Sequence, residues 1–250
     1  MNITGNTILI TGGGSGIGRS LAEAFHKAGN QVIIAGRRAK ALEETTASYP
    51  GMAFQTLNVE DPTAIQAFAA EITRKFPTLN VLINNAGIMQ VENLTAEPVD
   101  LTTAEATIAT NLLGPIRLTA ALLPHLTKQK SATVINVTSG LAFVPLTATP
   151  TYSATKAAMH SYSQSLGFQL KDTSVQVIEL APPAVATDLM PGHAENPRSM
   201  PLAAYIEESM ALLTANPDAR EILVENVKPL RNAESSGQYQ AIFGMLNGAH

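Results

Sequence analysis

Short runs of β-branched and apolar residues alternate with longer segments of helical period from the first residues to about position 181. A strand followed by a helix that returns the chain to a parallel neighbour is the unit this rhythm describes. Repetition of the unit builds a parallel sheet with helices on both faces. The strand segments are 6–11, 31–35, 52–58, 80–83, 132–138 and 174–181, several of them apolar throughout, as strands buried on both faces must be. The helical segment IGRSLAEAFHKAG sets Ile17, Leu21, Ala24 and Phe25 on one face and stops at Gly29, a residue suited to a helix C-terminus. Segments 38–48 and 61–76 repeat the plan, and 103–126 predicts a long helix kinked or broken at Gly114 and Pro115. Beyond Ala181 the alternation ends in prolines at 182, 183, 191, 197 and 201, and helical patterns return at 203–214, 218–227 and 234–246.

No linker divides the 250 residues, so a single domain over 1–250 is expected, with a substrate loop at about 188–215 and a helical C-terminal extension at about 216–250. Apolar residues at 45% against 14% charged argue for a compact enzyme-like fold rather than disorder. A net charge of −4 with no basic run excludes a nucleic-acid-binding surface. The absence of cysteine excludes disulfides and thiolate chemistry. MNITGNTILITGGG has no secretory pattern, and no apolar run approaches a membrane span, so a cytoplasmic protein without membrane partners is expected. His26, His125, His160, His193 and His250 do not fall at metal-ligand spacing, and no metal is expected.

The first strand runs directly into Thr11, Gly12, Gly13, Gly14, Ser15, Gly16, Ile17 and Gly18 and then a helix. Glycines let a backbone turn tightly and approach a ligand closely, and the unpaired amides of a helix N-terminus attract phosphate. The second strand ends in Gly36, Arg37 and Arg38, where a dinucleotide-binding fold places an acid for the ribose hydroxyls of NAD or an arginine for the 2′-phosphate of NADP. Cations at a helix start are disfavoured by up to about 1 kcal/mol, a penalty a bound anion removes. The expected cofactor is NADP(H), with NAD(H) second.

Tyr152 and Lys156 stand at i and i+4, on one helical face about a turn apart. A tyrosine must drop by roughly 2 to 3 pKa units to exchange its proton freely near neutrality, and a neighbouring ammonium favours that drop. Ser139 follows the fifth strand, Asn111 lies in the long helix, and Asn84, Asn85, Ala86 and Gly87 end the fourth strand. The set TGGGSGIG, NNAG, a helix asparagine, and a serine followed 13 residues later by YSATK resembles the short-chain dehydrogenase/reductase family, over about residues 4–190. ILITGGGSGIG, LNVLINNAGI and the tail REILVENVKPLRNAESSGQYQAIFGMLN are similar to its DltE-like oxidoreductase subgroup.

That resemblance implies a Rossmann-like, doubly wound α/β fold and an oxidoreductase acting on a small carbonyl or alcohol. It implies Tyr152 as general acid or base, Lys156 on the nicotinamide ribose and beside the tyrosine, Ser139 on the substrate oxygen, and Asn111 holding a water that relays protons. It further implies cofactor contacts from Gly12, Gly14, Ser15, Gly16, Ile17, Gly18, Asn58, Val59, Asn85, Ala86, Gly87, Pro182, Val185 and Thr187, and a homodimer or homotetramer. Three departures stand out: Asn58 replaces the family's aspartate before valine, Pro183 replaces a glycine, and the family's last strand with its glycine-rich tail is missing. In the tail, Ile222, Val227, Leu230, Ile242, Phe243 and Leu246 are expected to pack against the core or a second subunit. Substrate is expected near Leu141–Thr149 and Asp188–Leu202, where Phe143, Val144, Leu146, Leu189, Met190, Met200 and Leu202 suggest a hydrophobic compound. A dinucleotide-binding sensor without turnover is the alternative. An epimerase or dehydratase of the longer branch would need a larger C-terminal domain than this chain supplies.

Overall fold

A computed structural model describes residues 1–192 and 194–248, which leaves His193 and His250 outside the described residues. Among those residues the strands are β1 (Thr7–Thr11), β2 (Gln31–Gly36), β3 (Ala53–Thr56), β4 (Leu79–Asn84), β5 (Ala132–Val137), β6 (Val175–Leu180) and β7 (Glu221–Ile222). They form one parallel sheet in the order β3-β2-β1-β4-β5-β6-β7. The chain works outward from β1 to β3, then returns to lay β4 on the other side of β1. The C-terminal ends of β1 and β4 therefore border the crevice where open α/β sheets bind ligands. Every residue of β1 and β5 is buried, the outcome expected of apolar runs covered on both faces.

The helices are α1 (Gly16–Lys27), α2 (Ala39–Ala47), α3 (Pro62–Lys75), α4 (Thr102–Ile108), α5 (Gly114–Leu126), α6 (Pro150–Gln169), α7 (Leu202–Ala215), α8 (Lys228–Arg231) and α9 (Tyr239–Asn247). One face of the sheet packs on α1 and α7 through Leu21, Phe25, Tyr205 and Leu213. The other packs on α3, α5 and α6 through Ile65, Phe68, Leu118, Leu122 and Leu166. Helix α1 ends as its sequence predicts, with Gly29 at φ +85°. Helix α3 begins at Pro62, its first-turn amides of Thr63 and Ala64 donating to the Asp61 carboxylate.

Four expectations change. The kink or break anticipated at Gly114 and Pro115 takes the form of a π-helical stretch, Ala109–Leu113, so the backbone runs on helically from α4 into α5. That continuous run, Thr102–Leu126, is long and apolar enough to cross a membrane by length and composition, its mean hydropathy reaching 1.3. It corrects the expectation that no run comes near a span; here Leu118, Leu122 and Leu126 are fully buried in the core. Residues 218–227 are not a helix, because Glu221 and Ile222 pair with Glu179 and Leu180 as β7. The family's last strand is thus present, shortened to two residues.

Candidate active site

The glycine-rich turn closes on the end of β4. Gly12 has φ +70°, and a Cβ there would lie 2.8 Å from Asn85 Nδ2 and 2.9 Å from Ala86 Cα, so only glycine fits. Asn85 Nδ2 donates to Thr11 O at 2.9 Å, while Thr11 Oγ1 accepts from the amides of Asn85 and Ala86. The Asn85 side chain therefore ties β1 to β4 and holds Asn85, Ala86 and Gly87 beside the glycine-rich turn. Helix α1 has no acid in its first turn and no side-chain cap at Ser15, so among the described residues its first amides face the turn without a side-chain acceptor. Thr187 faces Gly16 across this turn. Val185 pairs with Met200, and Pro182 O accepts from Gly140 N at 2.8 Å, which brings the segment 182–187 against both the turn and Ser139. Donors without acceptors, backbone close enough to touch a ligand and two arginines beyond β2 fit a dinucleotide diphosphate.

Arg38 Nη2 donates to Ser15 Oγ at 3.3 Å, at the lip of the turn. Arg37 Nη1 donates to Glu60 Oε1 at 3.0 Å. Asn58 is exposed, its Oδ1 accepting from Glu60 N, whereas the Val59 side chain is buried in the core.

Helix α6 carries Tyr152 and Lys156, both buried, toward Ser139 at the end of β5. Burial pushes the Tyr152 hydroxyl up to about 12, with Ser139 pulling the other way. Burial also lowers Lys156 to about 8. Lys156 Nζ lies 5.5 Å from the Tyr152 ring centroid and donates to Val137 O at 2.8 Å. The i, i+4 spacing does bring the pair together, but desolvation outweighs the hydrogen bond with Ser139 and the tyrosine moves up, not down. Asn111 is fully buried in the π-helical stretch; its Oδ1 accepts from Ile88 N at 2.9 Å and its Nδ2 donates to Ile88 O at 2.8 Å. Its amide thus grips the strand exit beyond Gly87. A Cβ on Gly87 would lie 3.3 Å from Asn111 Oδ1 and 3.8 Å from Lys156 Nζ, which places Gly87 between the two. Asn111, Ser139, Tyr152 and Lys156 therefore converge from a helix kink, a strand end and one helix face.

Residues 6–197 match the family model described as short chain dehydrogenase. The chain belongs to the short-chain dehydrogenase/reductase family. It is similar to the uncharacterized oxidoreductase DltE of Bacillus subtilis (strain 168), 39% identical over 251 residues that cover 99% of this chain and 98% of that relative. In fold it resembles a short chain dehydrogenase from Burkholderia cenocepacia J2315 in complex with NADP, with a TM-score of 0.82 and 23% identity over 98% of this chain and 99% of the other. A short chain dehydrogenase/reductase from Burkholderia phymatum in complex with NAD has a TM-score of 0.79 and 22% identity, each chain being covered to 96%. At these identities both structures speak to the fold alone. The family is an oxidoreductase family that binds a nicotinamide dinucleotide, and one neighbour holds each form.

Around this family core the substrate side differs in part from expectation. Val144 is fully buried with Ala233 and Ile242, and Met200 belongs to the main core with the partly buried Leu202 packed on it. Phe143 is clamped between the edge of His160, 4.9 Å away, and the guanidinium of Arg231, 5.0 Å away. Leu189 is exposed. The tail residues Ile222 and Val227 join the main core, while Leu230, Ile242, Phe243 and Leu246 build a small cluster over Val144. Sequence spacing gave no sign of one further group: the fold gathers His160, Glu179 and Glu221, their ligand atoms within 4.8 Å of one another. Buried Glu179 accepts from Thr138 Oγ1 at 2.6 Å and pairs with His160 Nδ1 at 2.6 Å. The guanidinium of Arg231 already meets Glu221 through two nitrogens, at 2.9 and 3.1 Å, and supplies the cation this cluster needs.

Proposed function

We propose that this family member is an NADP(H)-dependent oxidoreductase that interconverts a carbonyl compound and its alcohol, with Tyr152 as the general acid or base. The observation that carries the reading is the buried set of Tyr152, Lys156 and Ser139 beside the crevice bordered by β1 and β4. Bound there, the nicotinamide supplies or accepts the hydride. In the reductive direction the Ser139 hydroxyl donates to the substrate oxygen and orients it. Tyr152 Oη then gives its proton to that oxygen as negative charge builds on it. A hydroxyl pushed up to about 12 is protonated at neutrality and so carries the proton that reduction consumes. Lys156 stands one turn along the helix, where its ammonium stabilises the tyrosinate left behind. Asn111 holds the Ile88 backbone in place beside Gly87 and Lys156.

Arg37 and Arg38 support a preference for the phosphorylated cofactor. Exposed Val91, Leu94, Val99, Leu101, Ile108 and Leu113, on or just before the helical run that carries Asn111, support assembly into a homodimer or homotetramer. The test is turnover of NADPH against a panel of hydrophobic aldehydes and ketones. Tyr152→Phe is expected to lower the rate by about 10²- to 10⁴-fold while cofactor binding persists. Binding with no turnover on any substrate, identical in Tyr152→Phe, would instead identify a dinucleotide sensor.

A further inference from the structure

We propose that Glu60 is a cofactor-specificity residue, an acid supplied from the exit of β3 to the place where the end of β2 has none. The inference rests on Arg37 and Arg38 facing the 2′ position of the adenosine ribose. Strand β2 ends at Gly36, which pairs with Thr56 of β3, and Leu57 N donates to Gly36 O at 2.9 Å. The two strands therefore leave the sheet side by side, and the segment after β3 runs past Arg37.

Glu60 is held there from several directions. Its Oε1 accepts from Arg37 Nη1 at 3.0 Å and from Thr110 Oγ1 at 2.8 Å. Its backbone O accepts from Arg117 Nη1 at 3.3 Å, and its backbone N donates to Asn58 Oδ1 at 3.2 Å. Thr110 is itself buried, in the π-helical stretch next to Asn111. A carboxylate anchored at both main-chain groups and one oxygen is a placed group, unlike a long acid waving in solvent. Its Oε2 takes no hydrogen bond among the described residues, and the side chain stays 31% exposed.

The chemistry follows from charge. A ribose with free hydroxyls can donate to the remaining oxygen of Glu60. A 2′-phosphate meets Arg38 without an opposing acid, but it meets Arg37 already neutralised, and it is repelled by Glu60 itself. Glu60 therefore narrows the gap between the two cofactors that the arginines alone would create. The next acid in the chain, Asp61, is engaged in capping α3.

The experiment measures dissociation constants of NADPH and NADH for the full chain by nicotinamide fluorescence, which the absence of tryptophan leaves uncluttered. The readout is the ratio of the NADH constant to the NADPH constant; every contact shared by the two cofactors cancels in it, as does any general loss of folded protein. Glu60→Gln keeps an oxygen for Thr110 and is expected to raise the ratio about 3- to 10-fold, with Glu60→Ala moving it the same way. Arg37→Ala is expected to lower it. An unchanged ratio in both Glu60 variants beside a lowered ratio in Arg37→Ala overturns the role of Glu60 and leaves the 2′-phosphate reading standing. An unchanged ratio in Arg37→Ala as well overturns both.

Discussion

Lys156 keeps a charge where, among the described residues, the fold offers it one hydrogen-bond partner, the Val137 carbonyl. Its pKa in the folded protein is about 8, below the 10.5 of the free side chain, so between those values the unfolded chain binds more protons. Stability consequently rises with pH across that window, and below about pH 8 the full penalty of the buried ammonium is present. Lys156→Met should abolish turnover yet stabilise the protein by about 2 kcal/mol at pH 7, the gain fading toward pH 10.5. Thermal melts of the two proteins from pH 6 to 10 check this, and a lower melting temperature for the variant at pH 7 would contradict it. Tyr152 and Lys156 could be read from the chain because one helical turn separates them. Glu60 could not, since the acid was sought on β2 and only the pairing of Gly36 with Thr56 brings the next strand's exit alongside.

At the level of elements, the helix that carries the tyrosine begins without help from its own N-cap: Thr149 makes no side-chain capping bond. Glu92 does the work from another segment, its carboxylate accepting from Thr151 N at 3.0 Å and from Thr151 Oγ1 at 2.7 Å. Glu92→Ala should cost about 1 kcal/mol, a fall of roughly 2 to 4 °C in melting temperature, and should reduce kcat because Tyr152 follows Thr151 directly. Glu92→Gln, which keeps an acceptor, should recover most of the loss; equal losses in both variants would count against capping. The long strands were legible for the reason that β1 and β5 are buried on both faces and therefore continuously apolar. Strand β7 was not, because two residues put one side chain on each face and leave no period to detect. The π-helical stretch before Gly114 was foreseen as an interruption, but sequence period does not distinguish a break from one widened turn.

Over the whole molecule, the sheet and its two helical layers hold the site in place, while the tail returns to it from the far end of the chain. Asn247 Oδ1 accepts from Thr147 N at 2.7 Å and Asn247 Nδ2 donates to Pro145 O at 3.1 Å, across about a hundred residues of sequence. Asn247→Ala should raise KM for the carbonyl substrate about 2- to 5-fold and leave the NADPH dissociation constant unchanged. Steady-state kinetics with equilibrium titration separates the two, and an equal loss in both would mean general unfolding. That the tail packs inward could be expected from its apolar residues; which segment it would cover could not, because no local pattern records contact with Val144 or Pro145. The fastened segment lies between Ser139 and Tyr152 in the chain and contains neither. A tail of this kind can drift through evolution, or be redesigned in the laboratory, and so alter which molecules are admitted while the proton-transfer residues pass through unaltered.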